Sequence, residues 1–466
     1  MSLVQSQPGF PGFPVLGYQG GFSQPRPRVA NINHKFRMRS RQFVAAPNRP
    51  KQHKPWQVPK LMPGSHAPDD ASPRYHGWRV VAACFVMAML VWGFGFYGHG
   101  FYLAELQRLH GWPASLIGSA TTAYYLFSAL LVVFINDAMR RFGVGPCVLL
   151  GAVSLAGSAA ALPLVAQPWQ LFAAYLAMSL AWATMSLGAI NVILGLWFQA
   201  RRGLAISLAL NGASFSGMVI VPALVFLAGT AGFATAMLSG AVVILALAVP
   251  LALTVLSAPL PRLADGDTGT ATHVAPVAWT RAAALRSWHF WSVSAPFALA
   301  ITAQAGFLVH QIAFLEPAIG RYPAGIAVAV TTAMAIVGRL TLGAMANWLD
   351  QRLASALSLA SQAAALCVMI WTRDATTLLA ACAVYGFSVG NVITFPALIV
   401  QREFEAAAFG MLIGLSTGIS QFTYAFGPGL LGVVRDATGG YAAALALCIA
   451  LKLTAATIVL RRPRGR

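Results

Sequence analysis

The sequence contains few charged residues, and acidic residues are especially scarce. Asp, Glu, Lys and Arg make up 9% of the 466 residues, and only 12 residues are Asp or Glu. A soluble chain carries about 25% charged residues, because its surface must face water. The low charge therefore excludes an ordinary soluble protein and indicates a chain that lies largely in lipid.

The patterns of several other protein classes are also missing. The apolar stretches are long and continuous and do not alternate with the period of two that a membrane β-barrel requires. No glycine-rich nucleotide-binding loop, metal-binding cluster or catalytic set of side chains occurs, which argues against an ATP-driven pump and against an enzyme. The five cysteines lie inside apolar stretches without metal-ligand or disulfide spacing: Cys84, Cys147, Cys367, Cys382 and Cys448. We therefore expect no cofactor and no metal.

What the sequence does contain is a series of long apolar stretches. A membrane-spanning helix needs about 20 predominantly apolar residues. Twelve stretches meet this requirement, at approximately 79–104, 115–135, 146–165, 170–196, 203–228, 232–257, 287–312, 322–346, 353–371, 376–400, 408–432 and 441–460. They predict an all-α integral membrane protein with twelve transmembrane helices.

A polar stretch at 259–286 divides the twelve spans into six and six. We interpret it as a cytoplasmic linker between an N-terminal six-helix bundle at 77–258 and a C-terminal six-helix bundle with a short basic tail at 287–466. The triplet Asn-Val-Ile occurs at 191–193 in the fourth span and again at 391–393 in the tenth. The triplet and the layout together favour two parallel, pseudo-symmetric repeats.

Residues 1–76 differ from the remainder of the chain. They are rich in Pro, Gly, Gln and Arg and poor in aliphatic residues, so we expect disorder. Three interpretations stay open. The segment is a basic cytoplasmic tail that contacts anionic lipid, a product of a wrongly assigned start with translation beginning at Met62, or an organelle transit peptide.

The positive charges indicate the topology. The net charge is +19, and 12 of the 31 Lys and Arg residues precede residue 80. Most others fall in loops on the side of the termini: Arg140, Arg141, Arg201, Arg202, Arg262, Arg281, Arg286, Arg352, Arg402, Arg461, Arg462, Arg464 and Arg466. The opposite loops hold Arg108, Arg321, Arg373 and Arg435. The positive-inside rule therefore predicts cytoplasmic termini and a location in the inner, cytoplasmic membrane.

Two sequence motifs resemble those of a known family. The stretch at 197–205, WFQARRGLA, resembles the WF-x-x-RRG-x-A junction of major-facilitator proteins of the monocarboxylate-transporter and oxalate/formate-antiporter branch. The stretch at 337–347, VGRLTLGAMAN, is similar to the eighth helix of monocarboxylate transporters, in which an arginine holds the substrate carboxylate. It also resembles the general GR-x-x-x-G signature of facilitators, in which the arginine is structural. The resemblance covers about residues 77–462 and implies the major facilitator fold.

Some family positions differ in this chain. The acidic residue that precedes the arginine by one turn is replaced by Ala335, and the first-helix lysine of monocarboxylate transporters falls near Tyr97. The loop at 136–143, NDAMRRFG, resembles a facilitator G-x-x-x-D-R-x-G loop with Asn136 in place of glycine and Arg140 in place of aspartate. The arginine of the eighth helix matches the family, whereas its acidic partner and the lysine do not.

Ionisable residues inside spans are costly and are therefore candidates for function. Arg339 is the strongest, because its guanidinium stays charged and presents a flat fork to a carboxylate; the alternative is a structural pairing. His99 lies among glycines and can carry a proton or contact substrate, or can be a hydrogen-bonded interface residue. His310 and Glu316, near the outer end of the seventh span, are further proton-coupling candidates or interfacial residues. Lys452 either snorkels to the interface or faces the bundle.

Uncharged polar residues in both halves predict a polar cavity between them. With Arg339 and His99, the proposed substrate-binding set contains Tyr97, Tyr125, Asn191, Gln304, Asn391, Gln421 and Tyr424. Each can instead bond to a neighbouring helix, since buried amides and hydroxyls need partners.

We interpret the chain as a secondary active transporter that moves a small, carboxylate-type organic anion by alternating access around a midplane site, coupled to a proton. A drug or metabolite exporter of the same fold and a non-transporting membrane sensor are the alternatives. We expect a small-molecule substrate, membrane lipid and a coupling proton as partners, no nucleic acid, and a monomeric protein.

Overall fold

A computed structural model describes Ser72 and residues 75–198, 201–258, 279–345, 348–405 and 408–462. The predictions for residues 1–71, and for residues 259–278 of the linker, lie outside the described residues. Within the described ranges, the secondary structure is helical, with turns and short irregular segments between helices. The all-α prediction is therefore confirmed.

The described helices follow the predicted spans closely. They are α1 Gly77–His110, α2 Ala114–Val132, α3 Val144–Leu164, α4 Pro168–Trp197, α5 Arg202–Ala231, α6 Phe233–Val255, α7 Trp288–Ile319, α8 Arg321–Met345, α9 Gln351–Trp371, α10 Ala375–Glu403, α11, formed by Phe409–Tyr424 and Gly427–Thr438, and α12 Tyr441–Leu460. Two short helices, Ile135–Phe142 and Arg281–Arg286, lie between spans.

Eleven of these helices are individually long and apolar enough to cross a membrane. The predicted span at 408–432 corresponds to α11, which is divided after Tyr424. Pro428 lies in the first turn of the second segment, where its missing N–H and its ring prevent a continuous helix through the preceding turn. The twelve-span prediction is consistent with this arrangement, with the eleventh span built from two helices.

Helix packing in the first half is repeated in the second. α1 packs on α5, α2 on α4, and α3 on both α4 and α6; correspondingly, α7 packs on α11, α8 on α10, and α9 on both α10 and α12. The halves meet where α2 contacts α11 and where α5 contacts α8. A shift of six helices converts one of these contacts into the other, as expected for two parallel repeats. The exact boundaries of the two bundles stay predictions.

Two spans of the C-terminal half begin at aspartates. Asp350 caps α9 and accepts hydrogen bonds from the backbone N–H groups of Arg352 and Leu353, and Asp374 caps α10 and accepts from Thr377. These backbone hydrogen bonds lower the pKa of Asp350 and Asp374. The caps fix the starts of α9 and α10 in the sequence.

We call the end of the bundle at which α1 turns into α2 and α7 into α8 the distal end, and the end at which α1 begins and α12 ends the proximal end. At the distal end, α2 and α11 are in backbone contact. A Cβ atom added at Gly118 would lie 2.6 Å from the carbonyl oxygen of Pro428, which is too close for any side chain. The carboxylate of Asp436 accepts hydrogen bonds from the backbone N–H groups of Ala114 (3.3 Å) and Ser115 (2.6 Å), the first residues of α2.

Four charged residues also join the halves at this end. Arg108 of α1 forms ion pairs with Glu105 at 2.8 Å and with Glu316 of α7 at 3.3 Å. Arg321, at the start of α8, pairs with Glu105 as well. We call these residues the distal cluster. Because each half contributes one positive and one negative residue that pair with the other half, the distal cluster holds the distal end closed.

The proximal part of α11 has a different environment. Gly410, Gly414 and Gly418 have the spacing of one helix face, and no atom of the described residues would lie within 4 Å of a Cβ atom added at any of them, their own helix and chain neighbours aside. The distal end is therefore tightly packed, while this part of α11 faces open space.

Replacing Gly118 with Ala should weaken distal closure, because the added Cβ atom pushes α2 away from the Pro428 carbonyl. We expect a cysteine introduced at Thr122 to react several-fold faster with a thiol reagent applied to the distal side. Gly410→Ala is the control, since a Cβ atom there meets open space. Equal labelling rates in both variants would contradict this account of the closed end.

Candidate functional site

The middle of α1 departs from regular helix geometry. Residues Gly93–Tyr97 form a π-helical turn, a feature that recurs at functional sites. Tyr97 ends this turn and His99 follows two residues later. Since each residue rotates about 100° around a helix axis, these two side chains point in different directions. The structure accordingly places them in two separate groups of residues.

The first group surrounds Arg339 of α8, which lies where the two halves meet. Its Nη2 donates a hydrogen bond of 2.7 Å to the hydroxyl oxygen of Ser214 on α5, in the other half. Its Nε is buried and has no hydrogen-bond partner in the part of the chain that the structure describes. Tyr97 of α1 is close enough to interact electrostatically with this guanidinium. Arg339 therefore faces α1 and α5 across the interface.

A glycine on α10 makes room for the arginine. A Cβ atom added at Gly390 would lie 2.7 Å from Nε and 3.1 Å from Cγ of Arg339. The next residue, Asn391, donates its amide N–H to the Phe387 carbonyl at 3.3 Å, and its Oδ1 is buried without a partner among the described residues. Gln304 of α7 is also buried, with its Oε1 likewise unpartnered within the described ranges. Polar groups that lack partners thus occur on α7, α8 and α10.

The second group surrounds His99, which is completely buried in the N-terminal half. Four tyrosine rings lie around it, with centroid distances of 4.6 Å to Tyr124, 4.7 Å to Tyr175, and 5.8 Å to both Tyr102 and Tyr125. We call His99 and these four residues the tyrosine cluster. Tyr175 of α4 was not a sequence-based candidate, because an isolated tyrosine in an apolar span gives no periodic signal.

The nitrogens of His99 form no hydrogen bond of normal geometry with any described residue, although the carbonyls of Gly95 and Phe96 lie close to the ring. The hydroxyl groups of Tyr124 and Tyr125 are buried in the same condition. Buried polar atoms normally have a partner. Their concentration here marks the tyrosine cluster as a polar region inside an apolar bundle.

The other proposed substrate contacts are dispersed. Tyr125 and Tyr424 meet across the halves with ring centroids 5.0 Å apart. Gln421 is partly buried on α11, one turn from Tyr424. The backbone carbonyl of Asn191 accepts a hydrogen bond of 3.2 Å from Arg202 near the proximal end of α4. The roles of these side chains in binding stay predictions.

His310 is fully buried and bonded at both ring nitrogens. Nε2 lies 2.9 Å from the carbonyl oxygen of Pro428 and Nδ1 lies 3.1 Å from the hydroxyl of Tyr441. A carbonyl oxygen only accepts, so Nε2 must donate, and in the neutral ring Nδ1 accepts from the tyrosine. His310 therefore links α7 to α11 and α12, while Glu316 belongs to the distal cluster. A proton-coupling role for either residue stays a prediction.

Two further cations lie in the interior of the C-terminal half. Arg352 is 2% exposed and its Nε and Nη2 contact the two carboxylate oxygens of Glu403 at 2.6 and 2.7 Å. Lys452 is completely buried, donates a hydrogen bond to Gln362 and lies 5.5 Å from the ring centroid of Tyr385. Lys452 thus faces the bundle interior and does not snorkel to the interface.

Comparison with known proteins agrees with this architecture. The family model of the Major Facilitator Superfamily matches residues 81–428. A curated relative, monocarboxylate transporter 11 of Mus musculus, is 28% identical over 419 residues, covering 84% of this chain and 88% of the relative.

Two solved structures share the fold. A bacterial homologue of the human lysosomal transporter Spinster, in an inward-facing and occupied conformation, has a TM-score of 0.65 at 15% identity and covers 83% of this chain and 97% of its own. The nucleoside transporter NupG has a TM-score of 0.63 at 15% identity, with coverage of 83% and 99%. The chain therefore belongs to the major facilitator superfamily and is a multi-pass membrane transporter.

Proposed function

We propose that this transporter carries a small organic carboxylate, and that Arg339 binds the carboxylate group between the two halves. The observation that supports the proposal is the incomplete hydrogen bonding of the Nε–Nη2 edge of its guanidinium. Ser214 occupies Nη2, and Nε has no partner among the described residues. The edge can therefore bind both oxygens of a carboxylate if the Ser214 hydroxyl is displaced from Nη2.

The same chain contains an example of this geometry. Arg352 uses its Nε and Nη2 to bind the two oxygens of Glu403, at 2.6 and 2.7 Å. The corresponding edge of Arg339 has a neutral hydroxyl on Nη2 and, among the described residues, no hydrogen-bond partner on Nε. A substrate carboxylate would accept hydrogen bonds from Nε and Nη2 of Arg339, as Glu403 does from the same two atoms of Arg352.

The charge balance around Arg339 also supports an anionic ligand. Within the described ranges, no Asp or Glu forms an ion pair with Arg339. A partly buried cation without a counter-charge is unfavourable, and a bound anion would remove that cost. An exporter of hydrophobic cations would gain nothing from a positive group at this position.

The relatives supply the substrate classes to compare. The curated relative is named a monocarboxylate transporter, and one of the structural relatives is named a nucleoside transporter. Small monocarboxylates are therefore the proposed substrates and a nucleoside is the discriminating competitor.

The direction in which the site opens follows from the predicted topology. If the proximal end is cytoplasmic, as the positive-inside rule predicts, the closed distal end faces outward. The structure then corresponds to an inward-facing state in alternating access.

The proposal is tested by uptake into proteoliposomes. Acetate, lactate, pyruvate and uridine are compared, with and without an inward proton gradient. We expect saturable carboxylate uptake that a protonophore abolishes, and no uridine uptake. Transport of uridine or a hydrophobic cation without carboxylate transport would refute the proposed substrate class.

We further propose that His99 holds the coupling proton. Tyr124 and Tyr175 present aromatic rings within 5 Å of the imidazole centroid, and aromatic faces stabilise a cation. Because α1 carries both His99 and Tyr97, a change in the tyrosine cluster can alter the helix that faces Arg339.

His99→Gln should abolish carboxylate accumulation driven by a proton gradient, since glutamine cannot take up a proton at neutral pH. Carboxylate exchange without a gradient should continue. The two activities are measured by gradient-driven uptake and by counterflow. His110→Gln is the control, because His110 is exposed and stacks on Trp112 at 4.6 Å. Gradient-driven uptake at the normal rate in His99→Gln would exclude His99 from coupling.

A further inference from the structure

Ser214 is a buried serine of α5 whose hydroxyl bonds outside its own half. It is 1% exposed, and its oxygen accepts the 2.7 Å hydrogen bond from Nη2 of Arg339. Among the described residues, further hydrogen bonds and ion pairs between the halves lie at the distal end, in the distal cluster and at Asp436. Ser214 therefore supplies a polar link between the halves at the site itself.

We infer that Ser214 is a positioning residue that stands in for one carboxylate oxygen and is exchanged for it when substrate binds. This inference rests on the proposed function. In the structure, Ser214 holds one nitrogen of the edge and thereby directs the guanidinium toward α5. The unpartnered Nε beside it is the position at which an incoming carboxylate first gains a hydrogen bond.

The exchange is favourable because the two acceptors differ in strength. A hydrogen bond between a guanidinium and a carboxylate is roughly twice as strong as one to a neutral acceptor. A carboxylate that reaches Nε can therefore displace the serine hydroxyl from Nη2. The displaced hydroxyl keeps its ability to bond to its own helix, as serine commonly does.

Displacement also has a consequence for the contact between α5 and α8. The Ser214–Arg339 hydrogen bond connects these two helices near the substrate, so its loss weakens their attachment at that level. Substrate binding and separation of the helices are then coupled, because the substrate has a different affinity for the joined and separated arrangements.

A second contact also holds α5 against α8 near Ser214. One turn further along α5, a Cβ atom added at Gly217 would lie 3.1 Å from Cβ of Thr332 on α8. The backbone of Gly217 therefore lies close to the Thr332 side chain, a contact between α5 and α8 that does not involve the Ser214 hydroxyl. Removing the hydroxyl should keep the Gly217–Thr332 contact and free Nη2 of Arg339.

Ser216 provides a matched control. It is fully buried on the same helix, and its hydroxyl donates to the carbonyl of Ala213 at 2.6 Å within α5. Ser216→Ala removes a hydroxyl of the same kind without changing the partners of Arg339.

The test compares KM and Vmax for carboxylate uptake in Ser214→Ala, Ser216→Ala and the unmodified protein. We expect KM to fall about fivefold in Ser214→Ala, because the serine hydroxyl no longer competes with substrate for Nη2. A fivefold change corresponds to the free energy of about one neutral hydrogen bond. KM should stay unchanged in Ser216→Ala. An unchanged or increased KM in Ser214→Ala would overturn the exchange.

A second variant tests the same idea from the opposite direction. Ser214→Asp places a permanent carboxylate beside Arg339, as Glu403 is placed beside Arg352. We expect transport to fall at least about 30-fold while the melting temperature stays equal or rises. Normal transport by this variant would also overturn the exchange. If Arg339→Ala still transports carboxylates, Arg339 does not bind the substrate, and that failure of the proposed function is distinct from a failure confined to Ser214.

Discussion

Arg339→Ala is expected to lower carboxylate uptake by about 30-fold or more, because truncating one partner of a buried, hydrogen-bonded charge pair costs about 2–5 kcal/mol. Arg339→Lys should be nearly as inactive. An ammonium carries the charge, but it cannot present two parallel N–H groups to one carboxylate. Initial rates in proteoliposomes over a range of substrate concentrations measure both effects.

A structural role for Arg339 predicts a different result. If Arg339 mainly stabilised the interface, Arg339→Ala would lower the melting temperature. If Arg339 instead binds substrate, Arg339→Ala removes a partly buried cation that lacks a carboxylate partner among the described residues. The stability of the protein should then be unchanged or increased. Arg141→Ala is the control for loss of a positive charge, since Arg141 is exposed and lies over its neighbour Phe142. Strong uptake by Arg339→Ala would exclude the arginine from binding.

Much of the fold is predictable because lipid imposes a simple length rule on the sequence. Long apolar stretches and the polar linker were enough to place the spans, and the structure has a helix at each. The division of α11 was harder to predict. The sequence has no charged residue between Glu405 and Arg435, so hydropathy alone predicts one continuous helix there.

The site was predictable only in part, because its contacts join residues far apart in sequence. Arg339 is prominent as a charge inside a span, but its bond to Ser214 joins it to a residue 125 positions away. That partner depends on how α5 packs on α8, which no local pattern encodes. Likewise, Arg339 and His99 were predicted to belong to one substrate-binding set, whereas the structure places them in separate groups.

The charged residues at the helix ends show a second limit. Arg352 follows Asp350 in a short loop, and such arginines usually contact headgroups, so the sequence favoured a surface position. The structure buries it instead. Its guanidinium donates to Glu403 of α10, to the Val459 carbonyl of α12 at 2.7 Å, and to Ser292 of α7 at 3.0 Å. One side chain thus joins four helices of the C-terminal half.

Arg352→Ala should therefore destabilise the protein more than the other substitutions considered. Among the described residues, it leaves the Glu403 carboxylate paired with His289 alone, 3.0 Å away, and it deprives the Val459 carbonyl of this donor. Breaking a buried pair by removing one partner costs about 3–5 kcal/mol. We expect the melting temperature in detergent, followed by tryptophan fluorescence, to fall by many degrees.

The control and the conservative variants define what this pair contributes. Arg402→Ala removes a positive charge next to Glu403 in the sequence. The Arg402 side chain is exposed and bonds to the Leu349 carbonyl at 2.9 Å, so its loss should lower the melting temperature much less. Arg352→Lys keeps the charge and loses the two-pronged geometry, so an intermediate loss is expected. Glu403→Gln should resemble Arg352→Ala, because it leaves the buried arginine without a counter-charge. If Arg352→Ala melts no lower than Arg402→Ala, the four-helix contact does not hold the C-terminal half together. The Arg352–Glu403 pair would then show only that a guanidinium edge and a carboxylate fit each other, which is the geometry proposed for Arg339 and its substrate.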